Sequence, residues 1–241
     1  MNRDLGAVGI RISGQPTWEL MRSIVCLKSP RGFKYITVGE QRRFADIDAA
    51  ANELAQEFLN DGQLDWILFV DDDAVVHPLT LTRLLSWNQP IVSALAFTRR
   101  VPIAPVVFGT IKVNEGYPIE FQDTMDWLAR YPELLTQSAT ILHEAPQDSL
   151  YQVGFTGLHC TLIRRDVFES LEKPYFVKSG GGGQGEDTYF CERARAAGYK
   201  IYVDRSVVSG HLGLHQFAGL DFQAWMLWMQ QREEYLSKNA S

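Results

Sequence analysis

One short segment constrains the fold more than any other: the apolar run Trp66-Ile-Leu-Phe-Val70, which stops abruptly at Asp71-Asp72-Asp73. A run of this length without polar alternation is a strand covered on both faces, as in the middle of a parallel sheet with helices on either side. The neighbouring sequence fits that scheme. A strand at Ala7–Ile12, a turn at Ser13-Gly14-Gln15-Pro16, a helix from Thr17 and a strand at Phe33–Val38 come before it. Phe44, Ile47, Ala51, Leu54 and Phe58 then lie near helical spacing, and that helix ends near Asn60-Asp61-Gly62. After the aspartates, Pro78 suits the first turn of a helix that turns Leu81, Leu84 and Leu85 inward, and a strand follows at Ile91–Phe97. The prediction is an α/β fold with a mostly parallel, mixed, Rossmann-like sheet flanked by helices.

The second half is less regular. Pro102, Pro105, Pro118, Pro132 and Pro146 break up residues 99–150, where short strands and a helix near Asp126–Leu135 are expected. A strand at Tyr151–Ile163 bends at Gly154-Phe-Thr-Gly157. Asp166 and Glu169 open a short helix in a capping-box pattern, a helix from Glu186 ends at Gly198, and Tyr199–Val203 is the last clear strand. Phe222, Trp225 and Met229 mark a terminal helix over Asp221–Tyr235 whose apolar stripe suits its own domain or a second subunit.

Composition excludes several classes of function. The chain of 241 residues carries 23 Lys and Arg against 29 Asp and Glu, and its basic residues occur at most as pairs such as Arg42-Arg43, so no nucleic-acid surface is expected. No apolar run approaches the roughly 18 residues of a membrane helix, and Met1–Gly9 lacks the apolar core of a signal peptide. Cys26, Cys160 and Cys191 are widely spaced and read as reduced core thiols of a cytoplasmic protein.

Consecutive aspartates at the carboxyl end of a buried strand repel one another and call for a positive partner. Ligands collect at this edge of open α/β sheets, so Asp71 and Asp73, on the same side of an extended chain, suit a divalent cation, with Asp72 turned away. The plainer alternative is an acidic helix start before Pro78. His211, in Ser209-Gly-His-Leu-Gly213 after the last strand, is a candidate third ligand, against the usual structural role of a lone histidine. His77, His143, His159 and His215 read as structural or surface residues.

Gly180, Gly182 and Gly185 match G-x-G-x-x-G with Asp204 downstream, which would suit a dinucleotide oxidoreductase. Four consecutive glycines match that pattern almost by default, however, and Glu186-Asp187 places negative charge where a pyrophosphate would bind. A glycine-hinged lid that delivers a carboxylate fits better, and a plain surface loop is the remaining alternative. Burial of Glu186 beside Asp187 should raise one of their pKa values.

Four stretches resemble, in order, the GT-A glycosyltransferases, particularly the small family-2-like enzymes of bacteria and phages. Trp66–Asp73 looks like the D-x-D strand end, Gly154–Arg165 like the acceptor-side strand, Gly185–Gly198 like the E-D helix and Gly210-His-Leu-Gly213 like the closing metal histidine. The resemblance covers most of the chain from about Ala45 onward. It implies one domain over 1–241, with a nucleotide-sugar part at about 1–100, an acceptor-side part at about 101–215 and a helical tail at 216–241. It also implies a UDP- or GDP-linked sugar donor, a Mn or Mg ion on Asp71, Asp73 and His211, and a base in Glu186-Asp187. The acceptor is a glycan, protein or small molecule. Donor contacts are expected from Asp71, Asp72, Ser13, Gln15, Glu40 and Asn52. In Asp48-Ala-Ala-Ala-Asn52 the family's usual Arg before the Asn is replaced by Ala51, leaving Arg42 and Arg43 as the nearest arginines. The alternatives are a nucleotidyltransferase acting on sugar phosphates, which usually carries a Gly-rich basic signature absent from Ser13–Thr17, and a non-catalytic sugar- or nucleotide-binding module.

Overall fold

A computed structural model of the chain describes residues 5–12, 16–29, 32–40, 47–98, 105–108, 130, 147–178, 185–212 and 216–217. The opening third alternates as expected: β1 (Gly6–Ile12), α1 (Trp18–Cys26), β2 (Tyr35–Glu40), α2 (Ile47–Asn60), β3 (Trp66–Asp71), β4 (Ala74–Val75), α3 (Thr80–Ser86) and β5 (Ile91–Leu95). Short strands β6 (Val107–Phe108), β7 (Leu150–Val153) and β8 (Phe155–Thr156) follow, then β9 (Cys160–Arg164) and α4 (Arg165–Glu169). The remaining elements are α5 (Glu186–Ala196), β10 (Ile201–Val208), β11 (Gly210–Leu212) and β12 (Gln216–Phe217).

Seven strands form one sheet in the order β2-β1-β3-β9-β5-β10-β7. β1, β2, β3, β5 and β10 run one way, while β9 between β3 and β5, and β7 at the edge, run the other way. Both faces are covered, as the apolar run of β3 requires. Trp66, Leu68 and Val70 pack with Leu20 and Ile24 of α1 and Leu81 and Leu84 of α3. Ile67 and Phe69 pack on the other face with Leu54 and Phe58 of α2, Phe168 of α4 and Phe190 of α5. Each such side chain contributes about 1.5–3 kcal/mol by leaving water.

Three expectations change. The strand expected at Tyr151–Ile163 is divided into β7, β8 and β9 around Gly154 and Leu158-His159. The strand expected at Tyr199–Val203 runs instead from Ile201 to Val208, and β11 and β12 follow it. Cys160 and Cys191 are buried, but Cys26 is exposed, because its place on α1 turns it away from the face that buries Leu20 and Ile24. The helices expected over 126–135 (Arg130 apart) and 221–235, the lid at 180–184, and Ser13, Gln15, Arg42, Arg43, His143 and His215 lie outside the described residues. No helix among the described residues is long and apolar enough to cross a membrane.

Candidate active site

Strand register assembles the site. Parallel pairing of β1 with β3 sets Arg11 beside Asp71. Antiparallel pairing of β3 with β9 sets Val70 beside Cys160, and one step further the Asp71 amide donates to the His159 carbonyl at 3.1 Å. Arg11, Asp71 and His159 thus form a row across three adjacent strand ends. The chain then turns, with the Asp72 amide donating to the Arg11 carbonyl at 3.1 Å. β4 pairs with β11 so that His211 lies opposite Ala74, and the Leu212 amide donates to the Asp73 carbonyl at 2.7 Å. Two distant segments therefore meet at Asp73.

Arg11 is buried and bridges two carboxylates. Its Nε donates to Asp71 Oδ1 at 2.7 Å, its Nη2 lies 2.5 Å from the same oxygen, and its Nη1 donates to Glu186 Oε1 at 2.9 Å. Burial alone would lower the Arg11 pKa and raise that of Asp71. Their mutual attraction outweighs it, so Arg11 is raised and Asp71 is held below the usual carboxylate range. Arg11 is the positive partner that the aspartate cluster demanded, and it fastens the end of β3 to the first residue of α5.

His159 and His211 stack with ring centroids 4.2 Å apart. Each has one nitrogen against a backbone carbonyl: His159 Nε2 at 3.0 Å from Gly210 O, and His211 Nδ1 at 2.9 Å from Phe97 O. A carbonyl only accepts, so both of these nitrogens carry the hydrogen in the neutral rings. The opposite nitrogens then present lone pairs to carboxylates. His211 Nε2 stands 3.3 Å from Asp73 Oδ2, and His159 Nδ1 stands 3.4 Å from Asp71 Oδ2 and 3.9 Å from Asp73 Oδ1. His159 Nδ1 is buried and makes no hydrogen bond. Lone pairs aimed at carboxylates are repulsive unless a proton or a cation lies between them. One ligand atom from each of Asp73, His159 and His211 falls within 4.8 Å of the others, so this donor set fits a divalent cation.

The expected ligands Asp73 and His211 are brought together. Asp71 adjoins them, with Oδ1 committed to Arg11, and His159, expected to be structural, completes the group. Asp72 contributes backbone contacts, its carbonyl accepting from Thr17 Oγ1 at 3.4 Å. Glu40 closes β2 opposite Ile12. Asn52 is fully used elsewhere: its amide nitrogen donates to Asp48 O and Phe176 O, and its oxygen accepts from the Tyr175 and Phe176 amides. It pins residues 175–176 to α2 and has no capacity left for a donor. His77 accepts from the Leu79 amide at 3.1 Å, a structural role as expected. Asp204, the acidic residue of the dinucleotide alternative, is fully buried and bound by Arg83, Trp87 and Ser206, so it offers nothing to a ribose.

The two acidic residues at the start of α5 differ. Glu186 is buried on Arg11, whereas Asp187 lies beside Gly157: a Cβ there would come within 3.6 Å of Asp187 Oδ2 and 3.3 Å of Val106 Cγ1. Burial, and then the charge of Glu186, push Asp187 up to about 6. That value suits a group that takes a proton near neutral pH.

No protein-family model matches the chain. No curated protein matches it either. Among solved structures, A197 from STIV shares the fold with a TM-score of 0.57 at 16% identity, covering 86% of this chain and 85% of that one. GalNAc-T7, solved with UDP, GalNAc and Mn2+, gives a TM-score of 0.55 at 13% identity over 88% of this chain. The match spans only 44% of GalNAc-T7. The chain has the GT-A glycosyltransferase fold.

Proposed function

We propose that this protein is a cation-dependent glycosyltransferase that moves a sugar from a nucleotide-sugar donor to an acceptor hydroxyl with inversion at the anomeric carbon. The observation that carries the proposal is the pair of imidazoles, each turned by a backbone carbonyl so that its other nitrogen faces Asp73. The UDP, GalNAc and Mn2+ in the GalNAc-T7 structure support it, because that protein shares the fold. Asp73, His159 and His211 would hold the ion. Two imidazoles favour Mn over Mg, which prefers a shell of oxygens. When bound, the ion supplies positive charge that offsets the negative charge growing on the departing diphosphate.

The chain's own residues do the rest. Asp187 takes the proton of the acceptor hydroxyl as the oxygen attacks the anomeric carbon. Gly157 leaves space in front of its Oδ2. Glu186, anchored on Arg11, fixes the first turn of α5 and so the direction of Asp187. Ser13, Gln15, Glu40 and Asp72 are the proposed donor contacts. UDP and GDP are both retained as donor nucleotides, and the acceptor is a glycan, protein or small molecule. The chain is taken as one domain because its main sheet draws strands from Gly6 to Val208.

The test is calorimetric titration with UDP- and GDP-sugars, with and without Mn, coupled to an assay of donor hydrolysis and transfer. Mn-dependent donor binding that is lost in Asp73→Ala, together with turnover, supports the proposal. Binding unchanged by Asp73→Ala refutes the ion site, and binding without turnover points to a non-catalytic module.

A further inference from the structure

β10 does not run straight. It pairs with β5 as Ile201↔Ile91, Tyr202↔Val92, Val203↔Ser93 and Asp204↔Ala94, and then the register jumps to Val208↔Leu95. β10 advances four residues where β5 advances one, so Arg205, Ser206 and Val207 form a bulge. All three are buried. Beyond the bulge the Ser209 amide donates to Leu95 O at 2.8 Å, Gly210 begins β11, and His211 Nδ1 meets Phe97 O. A straight continuation would set Arg205 beside Leu95 and carry His211 three residues, about 10 Å, past its observed place beside Asp73. Bulges commonly re-aim a side chain in this way.

The bulge is held by one carboxylate. Asp204 is 0% exposed and accepts four hydrogen bonds. Its Oδ1 takes the Ser206 amide at 2.9 Å and the Ser206 hydroxyl at 2.6 Å, closing the loop on itself. Its Oδ2 takes Arg83 Nε at 2.9 Å and Trp87 Nε1 at 2.6 Å, tying the loop to α3 and the residue after it. Arg83 also stacks 4.5 Å above the Trp87 ring and donates to Ser149 Oγ at 3.1 Å. Arg205 Nη2 donates to Asp148 O at 2.8 Å. A buried carboxylate is costly unless every lone pair is used, and here all of that bonding fixes backbone around one irregularity.

We propose that Asp204 is a positioning residue for the cation site. By clamping the three-residue bulge in β10, it sets His211 at the correct distance from Asp73. The inference rests on the proposed cation site, and it assigns a role to a residue that touches neither ion nor substrate.

The experiment is a double-mutant cycle read by Mn titration, with a thermal melt of each protein to confirm folding. Asp204→Asn removes the charge. Trp87→Phe, which removes one donor and keeps the ring, carries the test if Asp204→Asn fails to fold. Both folded variants should bind Mn more weakly, by at least tenfold for Asp204→Asn and a few-fold for Trp87→Phe. In a His211→Ala background neither change should weaken binding further, because the ligand they place is already gone. Folded variants that bind Mn within about twofold of the parent overturn the proposal, as does a loss of equal size in the His211→Ala background. A parent protein that binds no Mn refutes the function proposed above and leaves this inference to a crystal structure of Trp87→Phe. There His211 should be displaced from Asp73, and an unmoved His211 overturns it.

Discussion

Replacing Arg11 with Ala tests the electrostatic frame of the site. Arg11 is 5% exposed, and the side chains of its partners Asp71 and Glu186 are 21% and 9% exposed, so this is no screened surface pair. Removing one partner of a buried pair costs about 3–5 kcal/mol, because the other charge is left without compensation. The orphaned carboxylates have one escape, which is to take up a proton. From an ordinary pKa near 4, that costs about 4 kcal/mol for each group at pH 7, so the escape does not lower the penalty. At roughly 2–4 °C per kcal/mol for a chain of this size, Arg11→Ala should melt about 6–20 °C below the parent at pH 7. Arg11→Lys keeps the charge but loses the planar fork, and should lose about 1–3 kcal/mol. The pH dependence follows from the depressed Asp71 pKa. A carboxylate of this kind stabilises the fold above its unfolded pKa of about 3.9, and that contribution is lost as pH falls through the lower, folded value. The gap between parent and Arg11→Ala should therefore be full at neutral pH and close toward pH 4 and below. Thermal melts followed by circular dichroism across that range provide the assay. A variant that melts within about 2 °C of the parent at pH 7, or a gap that widens in acid, would refute the reasoning.

Two further predictions concern the base and the sheet. Because burial and Glu186 push Asp187 up to about 6, transfer activity should fall about tenfold per pH unit below that value. Asp187→Asn should remove both the transfer and this acid limb while donor affinity stays within a few-fold of the parent; retained transfer in that variant would sink the base assignment. Gly39 on β2 lies under α2, where an added Cβ would come within 2.5 Å of Ala50 O and 2.9 Å of Leu54 Cγ. Gly39→Ala should cost about 1–3 kcal/mol by overpacking, measured by urea denaturation, and an unchanged midpoint would count against so close a contact.

The sequence disclosed what depends on local pattern and concealed what depends on pairing. The uninterrupted apolar run of β3 announced a strand buried on both faces, and the aspartates that follow announced the ligand edge of the sheet. Arg11 was visible only as a charge at the end of an apolar strand. Its partners became definite once β1 was known to lie beside β3 and α5 to begin over that strand end. The signal was available, since a buried guanidinium requires acidic partners and the chain has three aspartates waiting at the end of a strand. His159 was harder to read. Nothing local shows that β9 inserts antiparallel between β3 and β5, and that insertion alone sets it opposite Asp71. The last clear strand is expected to end at Val203, but β10 continues through Asp204-Arg205-Ser206 to Val208. Those residues are the buried clamp of the bulge: Asp204 accepts from Arg83 and Trp87 across the fold and from Ser206 of its own strand, and Arg205 donates to Asp148 O.

The two imidazoles lead to the last prediction, because their lone pairs require either protons or an ion between them and Asp73. Burial by itself would lower the pKa of His159, but Asp71 and Asp73 outweigh it and raise the value above the ordinary 6.5. Without an ion, the carboxylates therefore favour the imidazolium form of His159 more than water does. A divalent ion must displace the Nδ1 proton of that form to reach the nitrogen, so binding and deprotonation are linked. Mn affinity should fall as pH drops, approaching tenfold per unit below the His159 pKa, since one proton competes for one ligand atom. Calorimetry at pH 7 in two buffers of different ionisation enthalpy should show proton release on Mn binding that grows as the pH is lowered toward 6, and His159→Gln should abolish most of that release. Simple attraction of Mn to exposed carboxylates gives a different result, because groups that titrate near pH 4 release no proton at pH 7. Mn affinity that stays constant between pH 6 and 8 would mean that His159 is not a ligand, and that Asp73 and His211 hold the ion without it.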